Sequence, residues 1–217
     1  MTTLAMRKPH ADRGIEGLAA KWYAANTAEM MREYIDLARR ISTQLPQGCS
    51  VLEVAPGPGY FCIELAKLGS YAITGLDISH AMVRIAAKKA VEAGMKVGFQ
   101  QGSASNIPFP AGSFDFILCR AAFKNFARPV EALQEMFRVL QAGGLLLLAF
   151  HIGDEAAHYD ELWGCPICMD FFYFQPAEIR GHLEGAGFAI EEVNEREPYA
   201  PEVEHQSRRA YIWARKP

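Results

Sequence analysis

At 217 residues, half of them apolar and 22% charged, the chain has the length of one domain with a sizeable core and lies outside the low-hydrophobicity range of disordered proteins. Twenty-two Lys and Arg against 25 Asp and Glu give a formal net charge of -3, and no Lys/Arg block gathers positive charge into a stripe, so nucleic acid is excluded as an expected partner. The apolar stretch Leu145 to Phe150 falls far short of the ~18 residues of a membrane span, the first residues lack the apolar centre of a secretory signal, and five cysteines suit reduced thiols, which together predict a cytoplasmic protein.

Met30, Tyr34, Leu37, Ala38, Ile41 and Leu45 recur at helical spacing and predict an amphipathic helix over about residues 27–45, stopped by Pro46 and Gly48. Residues 1–26 read as a tail able to act as a lid. Cys49 to Ala55 is a short apolar run with one embedded Glu, a buried strand in expectation. The turn Pro56-Gly57-Pro58-Gly59, a helix from about Tyr60 to Lys67 and a second strand, Tyr71 to Asp77, follow. Ser79 caps a helix over about 80–93, and Gly94 stops it. The alternation continues with strand Met95 to Gln101, a loop at Ile107 to Pro110, strand Phe114 to Arg120, a helix over about 129–141, and strand Leu145 to Phe150 after Gly143-Gly144. Repeated β-α-β units with apolar strands predict a parallel sheet covered on both faces. Residues 151–174 break the rhythm and read as a cap insertion in a single domain spanning 1–217. A helix opening at Pro176 and ending at Gly187, then strands over about 188–196 and 206–215, close the chain.

Ligands of an open parallel sheet bind beyond the carboxyl ends of its strands. After the first strand, Glu53 to Gly59 forms a turn whose small residues let a ligand approach the backbone; after the second stands Asp77, placed to accept two hydrogen bonds from a ribose diol. The pair implies an adenosine-type nucleoside, belonging either to a nicotinamide dinucleotide or to S-adenosylmethionine. The dinucleotide fingerprint G-x-G-x-x-G has Cys62 at its third glycine. Gly102-Ser103-Ala104, Pro108-Phe109 leading to Ser113-Phe114-Asp115, the strand end Cys119-Arg120 and the run Arg138 to Gly144 complete a pattern. With them the sequence resembles the class I S-adenosylmethionine-dependent methyltransferases, in particular the small-molecule branch of the ubiquinone and menaquinone methyltransferases. The resemblance runs from about Trp22 to Phe150 and returns at Leu183 to Phe188.

That resemblance implies an α/β, Rossmann-like fold: a seven-stranded, mostly parallel sheet, helices on both faces and an antiparallel last strand. It implies S-adenosyl-L-methionine as cofactor and in-line methyl transfer to a small-molecule acceptor. A non-catalytic S-adenosylmethionine-binding protein and a nicotinamide-dependent reductase are the alternatives. By the resemblance, Glu53, Ala55, Gly57 and Gly59 line the methionine portion, Asp77 holds the ribose, Ile78 and Met82 flank the adenine, and Ser103 and Ala104 lie at its edge. Arg120 and Ala121 surround the sulfonium. Three positions depart from the family pattern: Ala55 stands for its first glycine, Ser103 for a frequent Asp, and Gln141-Ala142 for Lys-Pro.

For the acceptor, Tyr23 is expected in the lid, with Phe123, Tyr159, Trp163 and Tyr173 around the substrate; a competing reading makes Phe123 and Phe126 core and Lys124-Asn125 a solvated turn. Asp154, Glu155, Asp160, Glu161 and Asp170, among aromatics and without Lys or Arg, predict an acidic cap that favours small aromatic or cationic acceptors. His151, directly after the fifth strand, is the expected general base, with Asp154 orienting its ring and His158 in reserve. Cys165 and Cys168 lack the second pair of ligands that a closed zinc site needs, so no metal is expected. Monomer and homodimer both stay open.

Overall fold

A computed structural model of the protein describes residues 13–162, 164–198 and 207–217. Its centre is a seven-stranded sheet built from β1 (Ser50–Val54), β2 (Ala72–Asp77), β3 (Gly98–Gln101), β4 (Phe114–Cys119), β5 (Leu140–His151), β8 (Ala189–Arg196) and β9 (Arg209–Arg215), in the order β3-β2-β1-β4-β5-β9-β8. β1 to β5 run parallel, and β9 lies antiparallel between β5 and β8. The expected architecture is the observed one.

Side chains alternate across the strands, so each strand must be apolar on both faces to sit between two helical layers. Leu52 and Val54 of β1 join Ile117 of β4 and Leu146 and Leu148 of β5 against α5 (Pro129–Val139) and α6 (Pro176–Ala186), whose Leu133, Met136, Ile179 and Leu183 are buried. On the opposite face Val51, Phe116, Leu118 and Leu147 meet α2 (Met31–Ser42) and α3 (Tyr60–Ala66) through Ala38, Ile41, Phe61 and Leu65. α4 (His80–Glu92) is capped by Ser79, whose hydroxyl accepts from the Met82 amide at 3.0 Å.

Four expectations shift. The helix expected over 27–45 is a 3-10 turn, Thr27–Met30, followed by α2. Residues 17–26, read as tail, form α1 (Gly17–Asn26). β5 starts at Leu140, because Leu140 still pairs with Phe114 and the two glycines lie within the strand at a bulge rather than before it. The insertion is a two-stranded antiparallel hairpin, β6 (Ala156–Leu162) and β7 (Cys165–Phe172).

Candidate active site

The strand order reverses between β1 and β4, and the crevice at their carboxyl ends is where an open α/β sheet binds ligands. A cavity of about 240 Å³ opens there. Among the described residues two non-glycine residues have left-handed backbone, and both flank it: Ala55 (φ 56°) directly after β1 and Ala121 (φ 58°) just beyond β4. Such a conformation costs an alanine about 1–2 kcal/mol, which accounts for a glycine being the usual residue at position 55 of the family pattern.

Asp77 ends β2 and is buried beside the cavity. Its Oδ2 accepts the Gly57 amide at 3.0 Å and its Oδ1 the Ser79 amide at 2.9 Å. Each oxygen keeps further acceptor capacity, which is what a vicinal diol requires. Burial raises its pKa against the pull of those two amides. Glu53, on the α3 face of β1, is 3% exposed, and the Cys62 thiol donates to its Oε2 at 2.9 Å. Burial pushes the Glu53 carboxyl up to about 7, opposed by the Cys62 hydrogen bond and the Arg120 charge.

The folded chain thus keeps a proton on Glu53 that the unfolded chain gives up around the ordinary value of 4.5, so this residue's contribution to stability is present below that pH and is lost as pH rises through about 7. Glu53→Gln keeps the thiol's acceptor and removes the titration. The variant is expected to unfold in urea with a stability that no longer declines across this window, and to exceed the parent by ~2–3 kcal/mol at pH 8.

The segment before α1 is stitched over the start of α4. The Ser79 hydroxyl donates to the Ile15 carbonyl at 2.6 Å, and the Glu16 carboxylate accepts the His80 and Ala81 amides at 2.8 and 3.1 Å. Arg13, Gly14 and Ile15 therefore reach the cavity, and Tyr23 of α1 faces the turn, its ring 3.6 Å from where a Gly57 Cβ would stand. Arg120 donates through Nη2 to Glu33 Oε2 at 3.0 Å and lies 4.4 Å over the Tyr34 ring. Its Nη1 is buried without a hydrogen-bond partner in a wall of the cavity. An orphaned guanidinium nitrogen suits a carboxylate-bearing ligand.

Of the residues singled out in the sequence, Tyr23, Glu53, Ala55, Gly57, Asp77, Ile78, Met82, Ser103, Ala104, Arg120 and Ala121 line this one cavity. Gly59 does not: with φ 77° it caps α3, and a Cβ there would stand 2.7 Å from the Phe99 ring and 2.9 Å from Ala86, so glycine serves the packing of α3 on its neighbours. Phe123 is buried among Phe126, Phe150 and Phe174, away from the lining. Tyr159 and Tyr173 also lie outside the lining. Trp163 falls outside the described residues.

The general-base expectations do not meet the cavity. β5 runs one residue further than its apolar stretch suggests, so His151 is a strand residue in register with Arg209, 3% exposed, its Nδ1 engaged by Ser207 Oγ at 2.6 Å and by the Arg209 guanidinium. Asp154 bonds Gln175 instead of orienting it. His158 sits on the solvent side of the hairpin, its two ring nitrogens bonded to Asp170 (2.6 Å) and Asp160 (3.0 Å), which raise its pKa. The acidic cap is corrected too: Asp154, Glu155, Asp160 and Glu161 are exposed, and the hairpin reaches the cavity through Met169 and Phe171. The charges lining that end are Arg13, Arg120 and Lys124. Among the described residues no group of three or more His, Cys, Asp or Glu side chains is placed to hold a metal, and no helix is long and apolar enough to cross a membrane.

Tyr34, Lys124, Asn125, Phe126, Met169 and Phe171 also belong to the wall. The Arg120-to-Phe126 stretch after β4 was the signal for three of them; nothing local in the sequence of the hairpin singled out Met169.

Strand order and crevice define a Rossmann-like α/β protein with a nucleoside-type site at its switch point. Residues 52–148 match the family model described as a methyltransferase domain. The chain is 40% identical over 99 residues to the demethylmenaquinone methyltransferase of Deinococcus radiodurans, covering 45% of this chain and 41% of that protein. It is 27% identical over 192 residues to the ubiquinone biosynthesis O-methyltransferase of Xanthomonas axonopodis pv. citri, covering 82% and 79%. A solved SAM-dependent methyltransferase from Methanosarcina mazei superimposes with a TM-score of 0.72 at 22% identity, over 81% of this chain and 96% of that one. The chain spans under half the length of the first curated relatives it matches. Over residues 52–148 the chain thus carries a methyltransferase domain, and it is similar to S-adenosylmethionine-dependent methyltransferases of the small-molecule branch.

Proposed function

We propose that the protein transfers the methyl group of S-adenosyl-L-methionine to a small-molecule acceptor and releases S-adenosylhomocysteine. The observation that carries this reading is that Asp77, a buried carboxylate with acceptor capacity left for a diol, and the Arg120 guanidinium group belong to the lining of one cavity, which continues past Ala121 to the hairpin. A nucleoside that carries an amino acid matches that pair of groups, and room remains beyond it for an acceptor. Asp77 accepts from both ribose hydroxyls, Ile78 and Met82 flank the adenine, and Ser103 and Ala104 border its edge. The Arg120 guanidinium would hold the amino-acid carboxylate, and Glu53 would face the amino group as its counter-charge. Tyr23, on α1, closes the turn against water.

The cofactor supplies an already activated sulfonium methyl. The chain therefore contributes alignment, for which an enforced near-attack geometry is worth ~7–11 kcal/mol, and desolvation. A cavity bordered by Tyr23 of α1 and by Met169 and Phe171 of the hairpin supports a small-molecule acceptor, and the reduced thiols and charge balance support a cytoplasmic location. Incubation with methyl-labelled cofactor and a panel of phenolic, carboxylic, thiol and amine acceptors tests the reading. Label in one acceptor class is expected. Titration showing affinity for a nicotinamide dinucleotide, with none for S-adenosylhomocysteine, overturns it.

A further inference from the structure

We propose that Lys124 is the catalytic base of this site, taking the proton of a hydroxyl acceptor that lies on the Phe171 and Phe126 rings. The inference rests on the methyltransferase reading above and assigns the proton, which none of the histidines among the described residues is placed to take. Lys124 sits in the 3-10 turn Phe123–Asn125 just beyond β4 and lines the cavity together with Asn125, Phe126 and Phe171. Its Nζ donates to the Ala121 carbonyl at 3.0 Å, which fixes the head beside the left-handed residue at the mouth of β4. It stands 4.6 Å from the Phe171 ring centroid.

No carboxylate lies within ion-pair distance of Lys124 among the described residues, which separates it from Arg120, whose charge is matched by Glu33. Arg209 is the charge that bears on it, and the carboxylate next to the turn is engaged elsewhere. From β9 it faces the cation Arg209, whose guanidinium is set against His151 of β5. On β7, the Asp170 carboxylate that would otherwise compensate it is turned to His158. From the end of β4 comes Arg120, and across the cavity Arg13. Burial and the Arg209 charge lower the ammonium to about 7, against the attraction of the Phe171 ring. Half of the chains then carry a neutral amine at that pH, a competent proton acceptor inside a cavity.

The step balances. As a bond forms between the acceptor oxygen and the methyl carbon, the S–C pair stays on sulfur, the sulfonium charge is lost, and Lys124 becomes an ammonium by taking the hydroxyl proton, which it returns to solvent when product leaves.

Two measurements test this. In the cofactor-free protein labelled with ε-carbon-13 lysine, one resonance is expected to titrate near 7 and to be missing from Lys124→Met. If every lysine titrates near the ordinary ~10.4, the proposal is overturned whatever the activity shows. In the enzyme assay with a phenolic acceptor, wild-type turnover is expected to rise with pH through the same midpoint. Lys124→Met is expected to lose ~100- to 10,000-fold in kcat and the pH limb, with the Kd for S-adenosylhomocysteine unchanged. Lys124→Arg keeps the cation over Phe171 but cannot deprotonate, so it is expected to be as slow as Lys124→Met; recovery of activity in the arginine variant makes Lys124 an anchor and overturns its role as base. A wild type that methylates no acceptor sinks the methyltransferase reading and leaves the lysine titration to decide this one; an active wild type matched by Lys124→Met sinks only the base.

Discussion

Asp77→Ala is expected to weaken S-adenosylhomocysteine binding roughly 10- to 150-fold, since charge-assisted hydrogen bonds worth ~1.5–3 kcal/mol disappear. Two losses are combined in that figure. The ligand's diol loses its acceptor, and the Gly57 and Ser79 amides lose theirs, so the turn after β1 and the start of α4 are no longer tied to one side chain. Asp77→Asn separates the two, because its carbonyl oxygen can keep one amide while the charge facing the diol is gone. The asparagine variant is expected to retain the parent's urea midpoint more closely than the alanine variant and still to bind weakly by isothermal titration. Because burial raises the Asp77 pKa, affinity is also expected to fall on the acid side earlier than for an ordinary aspartate. An unchanged dissociation constant in both variants removes Asp77 from the nucleoside site.

The sheet was legible because its signals are redundant. β1, β2, β4 and β5 are apolar runs closed by turn residues, and only a strand buried on both faces tolerates Val51-Leu52 or Leu145 to Leu148 in succession. The cofactor half of the cavity was legible for a related reason: Glu53, Ala55, Gly57 and Asp77 all sit at strand ends, where topology alone brings them together. α1 was not legible, because its buried face is Ala19, Ala20 and Ala24, small residues that give no apolar stripe. Its neighbours, α4 and the hairpin, position it instead, through contacts distant in sequence. The hairpin was hidden by its polarity. Its strands alternate only in part, and Asp160 and Glu161, which coloured the reading of the whole insertion, point to solvent.

The acceptor half failed for a sharper reason. Lys124-Asn125 has the composition of a solvated turn, and only the fold reveals that Phe171 covers the lysine and that the Asn125 amide donates to the Asp170 carbonyl at 3.3 Å. His151 failed in the opposite direction. Its position after an apolar strand is what a catalytic loop residue looks like, yet antiparallel pairing with β9 extends the strand through it, and Arg209 and Ser207 occupy its ring.

Phe123→Ala is expected to cost ~3–5 kcal/mol of folding stability, the range for removing a fully buried aromatic ring, with the urea midpoint falling and the slope unchanged. Phe123 is 0% exposed, with ring centroids of Phe174, Phe126 and Phe150 at 5.2, 5.5 and 6.2 Å, in the tilted and edge-on arrangements that add to burial. Those partners come from β5, from the connection after β7 and from the turn itself, so the ring pins the turn to the sheet and to the root of the hairpin at once. A substrate-lining residue behaves differently: truncating it raises the KM for the acceptor and barely moves the urea midpoint. The two roles are therefore separated by one unfolding curve. The consequence for the site is indirect but large, because Lys124 is the next residue and its head is held by the Ala121 carbonyl and the Phe171 ring. With the Phe123 anchor gone, the turn is expected to loosen and the Lys124 titration to return toward the ordinary lysine range as water reaches the amine. A Phe123→Ala protein as stable as the parent shows that the ring is not the anchor its burial implies.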